Sequence, residues 1–264
     1  MKQSLKGIPE TTLMSLWCKA QEARHPHPIM KDTHALAIYK RLDYDFSKYD
    51  GNWLLQLNTA IGAKLLDAAA LNYLDRYPSG MVINVGAGLD ARFQRVDNGR
   101  VQWFDVDLPQ AMEVRRQFFS PSRRNTMISG SVFDDDWIEQ LPKERDHVLI
   151  LVDDLFPYCP AYELRELLDR WVMFFPNAEL VFQATTPQAA RRERGEVHSE
   201  KARLQWGIRS GREIEAWHES VHFLKEWIFS DYFKDRWQGW WRWTTYSRWL
   251  AGKCHNRVIQ LRFS

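Results

Sequence analysis

The sequence predicts an α/β fold: a Rossmann-like, doubly wound sheet, mostly parallel, that ends in an antiparallel hairpin. Three observations predict it. An apolar run, Met81–Val85, leads directly into Gly86-Ala87-Gly88, the strand–turn–helix junction of nucleoside-binding sheets. A second run, Val101–Val106, follows and carries two acids at its end, Asp105 and Asp107. Beyond it, apolar runs alternate with helix-period stretches, the rhythm of βαβ units.

Ahead of the sheet, residues 1–80 read as a helical cap. One helix runs from about Pro9 to Arg24 and is broken by His25-Pro26-His27-Pro28. A second runs from Asp32, its N-cap, to Leu42. Tyr44-Asp45-Phe46-Ser47-Lys48-Tyr49 forms an aromatic loop. A long helix then spans Asn52 to Arg76, with Leu54, Leu57, Ile61, Leu65 and Leu66 on one face. Pro78-Ser79-Gly80 ends it.

Within the sheet, the strands after the first two are Thr126–Gly130, His147–Val152 and Ala178–Gln183. Pro109 opens a helix that runs to about Phe119. A helical turn passes through Trp137 and Ile138, a helix follows from Ala161 to Phe175, and Thr186 caps another that continues to Arg194. Gly211 to Trp217 is a short helix. Val221–Phe229 and Val258–Phe263 pair as the final hairpin. Residues 81–230 and 256–264 thus form the sheet core of a single domain, and 231–255 form a Trp-rich insertion. The insertion has three readings: core packing, a substrate lid or an interface.

Composition narrows the function. A net charge of +2 over 264 residues calls for no polyanion, and it argues against single-stranded nucleic acid at the Arg–Trp stretch. No apolar run reaches membrane-spanning length, and Met1–Glu10 lacks a signal pattern, so a cytoplasmic protein with no membrane partner is expected. Cys18, Cys159 and Cys254 have no metal-ligand spacing and read as reduced thiols. His25 and His27 lack a third ligand, so no metal is expected.

The glycine turn poses a choice between NAD and S-adenosyl-L-methionine. Gly86, Gly88 and Ala91 fit a loose dinucleotide pattern. A dinucleotide would place its pyrophosphate at the next helix N-terminus, where Asp90 stands as N-cap and repels it. A sulfonium and an ammonium favour nearby acids, so the loop suits the methyl donor. Asp105 or Asp107 can accept both hydroxyls of a ribose. Ser131 and Val132 lie where an adenine edge would sit. Asp153 and Asp154 face the donor's cationic groups, and Arg92 or Lys64 can hold its carboxylate. Asp153, Asp154, Tyr158 and His198 are the possible bases for transfer; Asp153 and Tyr158 are taken as the catalytic pair.

The chain resembles the leucine carboxyl methyltransferase superfamily, in its bacterial branch of polyketide-synthesis O-methyltransferases. The resemblance rests on Pro9-Glu10-Thr11-Thr12, Tyr44–Lys48, Val82–Phe93, Arg95–Gly99, Trp103–Pro109, and Trp206-Gly207 with Arg212-Glu213. It implies a class I methyltransferase fold and S-adenosyl-L-methionine as donor. It places Gly86, Ala87 and Gly88 in the donor loop, Asp107 on the ribose, Ser131 and Val132 at the adenine and Lys64 at the donor carboxylate. The chain departs from that pattern at Val152-Asp153-Asp154, where Asp153 replaces a Glu and Asp154 a Gly. Lys64 also replaces an Arg and loses a bidentate fork. The expected activity is O-methylation of a carboxylate or hydroxyl on a small-molecule acceptor, in secondary metabolism. Methylation of a protein C-terminus and a non-catalytic donor- or partner-binding module are the alternatives.

Overall fold

The computed structural model describes residues 10–193 and 204–264. Its elements in chain order are helices α1 (Glu10–Ala23), α2 (Thr33–Arg41) and α3 (Trp53–Arg76), then β1 (Met81–Val85), α4 (Arg92–Val96), β2 (Gln102–Asp107), α5 (Pro109–Arg115), β3 (Asn125–Ser129), β4 (Val148–Val152), α6 (Ala161–Phe174), β5 (Glu179–Ala184), α7 (Pro187–Glu193), α8 (Arg212–Glu215), β6 (Val221–Ile228), α9 (Gly239–Thr244), α10 (Arg248–Cys254) and β7 (Arg257–Phe263).

The sheet order is β3-β2-β1-β4-β5-β7-β6. Strands β1 to β5 run parallel, and β7 runs antiparallel to both of its neighbours. The winding direction reverses between β1 and β4, a switch point where the strand ends splay and leave a crevice.

The period of two along each strand sorts the core into two layers. Ile83, Val85, Ile150 and Val152 face α6, whose Leu164, Leu167, Leu168 and Trp171 cover them. Val82, Leu149 and Leu151 face the other way, against Leu57, Ile61 and Leu66 of α3. Helix α3 is buried on several sides because α1 packs on it as well as the sheet. Its end is fixed by Arg76, whose two terminal nitrogens each lie 2.9 Å from a Glu179 oxygen on β5.

The cap has its own smaller core of Leu13, Leu16, Trp17, Ile38 and Phe46. Asp32 caps α2, accepting from the Ala35 N–H at 2.8 Å. The aromatic loop is pinned to the start of α1, where Lys48 pairs with Glu10 and the Tyr49 hydroxyl donates to it at 3.2 Å. Thr186 accepts from the Ala189 N–H and caps α7, as the sequence predicts.

Two local expectations are corrected. Asp90 does not cap α4; the N-cap is Ala91, with no side-chain bond. Helix α5 stops at Arg115, short of Phe119. The Trp-rich insertion divides: Trp237 is buried, Trp241 half-buried, and Trp240, Trp243, Tyr246 and Trp249 exposed.

Candidate active site at the carboxyl edge of the sheet

Strand β1 ends in two residues that only glycine adopts easily. Gly86 has φ +68° and Gly88 φ +45°. A Cβ on Gly88 would lie 3.0 Å from Thr12, and one on Gly86 3.3 Å from Leu155, so both positions also keep the chain close to its neighbours. The turn is laced to β2: Gly86 and Ala87 donate to the Val106 carbonyl at 2.9 and 3.2 Å. Asp107, the last residue of β2, accepts from the Gly88 and Leu108 N–H groups, both at 2.7 Å. Burial pushes the Asp107 carboxyl above its usual range, and the two N–H groups only partly offset this.

Arg115, fully buried on α5, supports the loop from beneath. Its guanidinium donates to the Gly88 and Asp90 carbonyls at 2.9 and 2.8 Å and to Asp105 at 2.7 Å. Asp105 also accepts from Asn84 and from the Trp103 indole, each at 2.9 Å. It therefore serves as the structural counter-ion of Arg115. It lies two residues back from the strand end, about 7 Å deeper in the sheet, and does not line the crevice.

The crevice has a volume of about 290 Å³ and is lined by α1, the glycine turn, Asp107 and the segment Asp153–Cys159. One lysine and four aspartates line it: Lys19, Asp90, Asp107, Asp153 and Asp154. Lys19 comes from α1 and lies 3.4 Å from Asp90 and 3.2 Å from Asp153. Behind it, Arg92 bridges Asp67 (2.8 Å), Asp90 (3.0 Å) and Asp153 (3.0 Å). Arg95 extends the network to Asp32 and Asp67 at 2.6 Å and to Asp90 at 2.9 Å.

These ion pairs set four carboxylates, Asp32, Asp67, Asp90 and Asp153, against three cations. One negative charge is left in excess when all are ionised. Burial opposes the charge on Asp90, but Arg92, Arg95 and Lys19 outweigh it and hold the carboxyl well below the usual range. Burial likewise opposes the charge on Asp153, and Lys19 and Arg92 again win. The same acids raise Arg92 against its own desolvation.

The fold brings together Gly86, Ala87, Gly88, Asp107, Asp153 and Tyr158 around one cavity. It does not bring Lys64, which is exposed on the solvent side of α3 and lines no part of it. Arg92 is fully buried behind the lining, committed to three acids. Ser131 and Val132 are half-buried past the end of β3 and also lie off the lining; the Ser131 hydroxyl accepts from the Phe133 N–H at 3.2 Å. His198 lies outside the described residues. The described residues contain no cluster suited to a metal, and no helix among them is long and apolar enough to cross a membrane. Cys18, Cys159 and Cys254 form no disulfide among the described residues.

Lys19 and Arg115 were missed. Lys19 carried a readable signal, a charge on the same helical face as Leu16 and Ala20. Arg115 carried none, because its partners lie in two other segments, the glycine turn and β2.

A seven-stranded sheet with this switch point, an antiparallel β7 set between β5 and β6, a glycine turn after β1 and an acid closing β2 defines a class I methyltransferase fold. The family model for leucine carboxyl methyltransferase matches residues 12–171, and the chain belongs to that family. It is an S-adenosyl-L-methionine-dependent methyltransferase. It is 30% identical to the tetracenomycin polyketide synthesis O-methyltransferase TcmP of Streptomyces glaucescens over 230 residues, 86% of this chain and 85% of that one. It is 29% identical over 205 residues to the S-adenosyl-L-methionine-dependent methyltransferase dpfgK of Gibberella zeae, covering 69% of this chain and 68% of that one. Among solved structures, a DUF574 family protein from Streptomyces avermitilis shares the fold, with a TM-score of 0.61, 12% identity and coverage of 96% and 97% of the two chains.

Proposed function

We propose that this enzyme methylates a carboxylate oxygen of a small molecule of secondary metabolism. The Streptomyces relative's name, a polyketide-synthesis O-methyltransferase, supports the metabolic setting. The observation that carries the acceptor class is the engagement of the lining acids. Asp90 and Asp153 are held as anions by Lys19 and Arg92, which makes them weak bases. Asp107 is bound by two backbone N–H groups. A site whose acids are committed in this way suits an acceptor that arrives already deprotonated, and a carboxylate needs no base.

In this reading, Gly86, Ala87 and Gly88 give the donor close backbone approach, and Asp107 accepts from its ribose hydroxyls. Asp153, assigned above to catalysis as a base, becomes a fixed charge facing the donor's cationic groups. Lys19, rather than Lys64, is the lysine of the lining and the nearest partner for the donor's carboxylate. Tyr158 stands on the acceptor side. When bound, the donor supplies an electrophilic methyl carbon. The chain's own task is to hold the acceptor oxygen in line with it and to exclude water.

A second reading has a specific observation in its favour. Asp154 lines the cavity with φ +52°, a backbone region unusual for a side-chain-bearing residue, and its carboxylate lies 3.5 Å from the Gln183 amide. It would then take the proton from a hydroxyl acceptor. Asp154→Asn separates the two. Carboxylate transfer predicts kcat within about threefold of wild type and a flat pH profile above pH 6. A loss of about a hundredfold, with an acidic limb in the wild type, where activity falls as the base is protonated, that disappears in the variant, would establish the hydroxyl reading instead.

A further inference from the structure

The insertion between β6 and β7 is anchored rigidly yet turns its largest rings outward. Trp237 is buried and meets the His255 ring edge-on at 4.4 Å, while the Thr244 hydroxyl lies 2.6 Å from His255 Nε2. On this base, Trp240, Trp243, Tyr246 and Trp249 are 59%, 77%, 65% and 67% exposed. Burial therefore does not account for these four rings. Cations accompany them. Lys253 lies 3.6 Å from the Trp249 ring centre and Lys234 5.6 Å from that of Tyr246. Arg242 and Arg248 are exposed between them. From Arg236 to Ser264 there is no Asp or Glu, and the insertion's two acids, Asp231 and Asp235, flank Lys234 at its start. Arg242, Arg248 and Lys253 carry no ion pair among the described residues.

We propose that this face docks the enzyme on an anionic lipid surface. Tryptophan and tyrosine favour the bilayer interface, where an apolar ring meets the headgroup layer. Interleaved Lys and Arg add attraction to anionic headgroups. A second copy of the chain fits poorly, because Arg242, Arg248 and Lys253 would meet like charges across a twofold axis. Nucleic acid fits less well than lipid. Bases stack on ring faces, and one face each of Trp249 and Tyr246 is already covered by a lysine.

The contact is peripheral; no helix among the described residues is long and apolar enough to span. It departs from the sequence-based expectation of no membrane partner. The insertion is also tied to a helix that lines the active site. Arg236 pairs with Glu22 of α1 at 2.9 Å, and the same helix contributes Lys19 to the cavity lining. An apolar acceptor dissolved in lipid would reach the cleft from the docked side.

The test is co-sedimentation of the full chain with vesicles of phosphatidylcholine alone and of phosphatidylcholine mixed with phosphatidylglycerol. Binding is expected to the mixed vesicles only, and to weaken with salt. The triple variants Trp240→Ser/Trp243→Ser/Trp249→Ser and Arg242→Glu/Arg248→Glu/Lys253→Glu should each lower partitioning at least tenfold. Donor affinity and thermal midpoint should stay unchanged. Equal retention by both variants would overturn the proposal. So would absence of wild-type binding, tighter binding to a single-stranded oligonucleotide than to vesicles, or concentration-dependent dimers that the Trp variant abolishes.

Discussion

Two regions of the carboxyl rim treat charge in opposite ways. Under the glycine turn, Lys19 and Arg92 are buried and Arg95 is half-buried, and each is shared among two or three aspartates. In the insertion, Arg242, Arg248 and Lys253 stand in solvent beside exposed rings. The first arrangement fixes geometry: each acid is locked in place, and a small net negative charge faces a cationic donor. The second leaves charge and apolar surface available to something outside the chain. Ion pairing spent internally preorganises a site, whereas cations left unpaired beside rings mark a surface for contact.

The largest effect should come from breaking the buried half. Arg92→Met removes the partner of three carboxylates, and a stranded buried charge costs about 3–5 kcal/mol. Urea unfolding should show that loss, whereas reversal of the exposed Arg242 should stay within about 0.5 kcal/mol. A comparable cost at the two arginines would dissolve the contrast.

Next, Asp107→Ala should weaken donor binding by about ten- to a hundredfold, the worth of charge-assisted hydrogen bonds to a ribose. Calorimetric titration reads it. Because burial raises the Asp107 carboxyl, donor affinity should fall with decreasing pH, beginning above the usual carboxylate range.

Stability should respond to pH in two separate windows. His255, the anchor of the insertion, is pushed down to about 4 by burial. The folded state resists its protonation, so stability is lost as pH falls from about 6.5 toward 4. Asp90 and Asp153 are depressed, so their contribution is present above the ordinary carboxylate range and is lost only as pH falls below it. Thermal midpoints of His255→Gln should therefore lack the upper slope and keep the lower one. The smallest effect is expected at Lys64→Ala, with donor affinity changed less than about twofold, since Lys64 is exposed away from the cavity.

These contrasts also explain what the sequence could show. The strands β1 and β4 were legible because both faces are covered, which demands continuous apolar runs. Gly86 and Gly88 were legible because positive φ leaves few alternatives. Asp105 and Asp107 were not separable, because both point to one face of β2 and differ only in depth. Asp90 was read as a cap, whereas its partners are Arg92 and Arg95 of α4 and Lys19 of α1. Arg115 gave no local sign at all. The outward rings of the insertion were ambiguous for another reason: α9 and α10 are too short for their period to separate a buried face from an exposed one.

The most direct measurement of the central claim is product chemistry. The enzyme is incubated with methyl-labelled S-adenosyl-L-methionine and matched aromatic acceptors bearing either a carboxyl or a hydroxyl group, and the product is then exposed to mild alkali. A carboxylate acceptor predicts label that transfers to the acid alone, as a methyl ester that alkali hydrolyses to release labelled methanol. Label found on the hydroxyl compound and resistant to alkali would contradict the account.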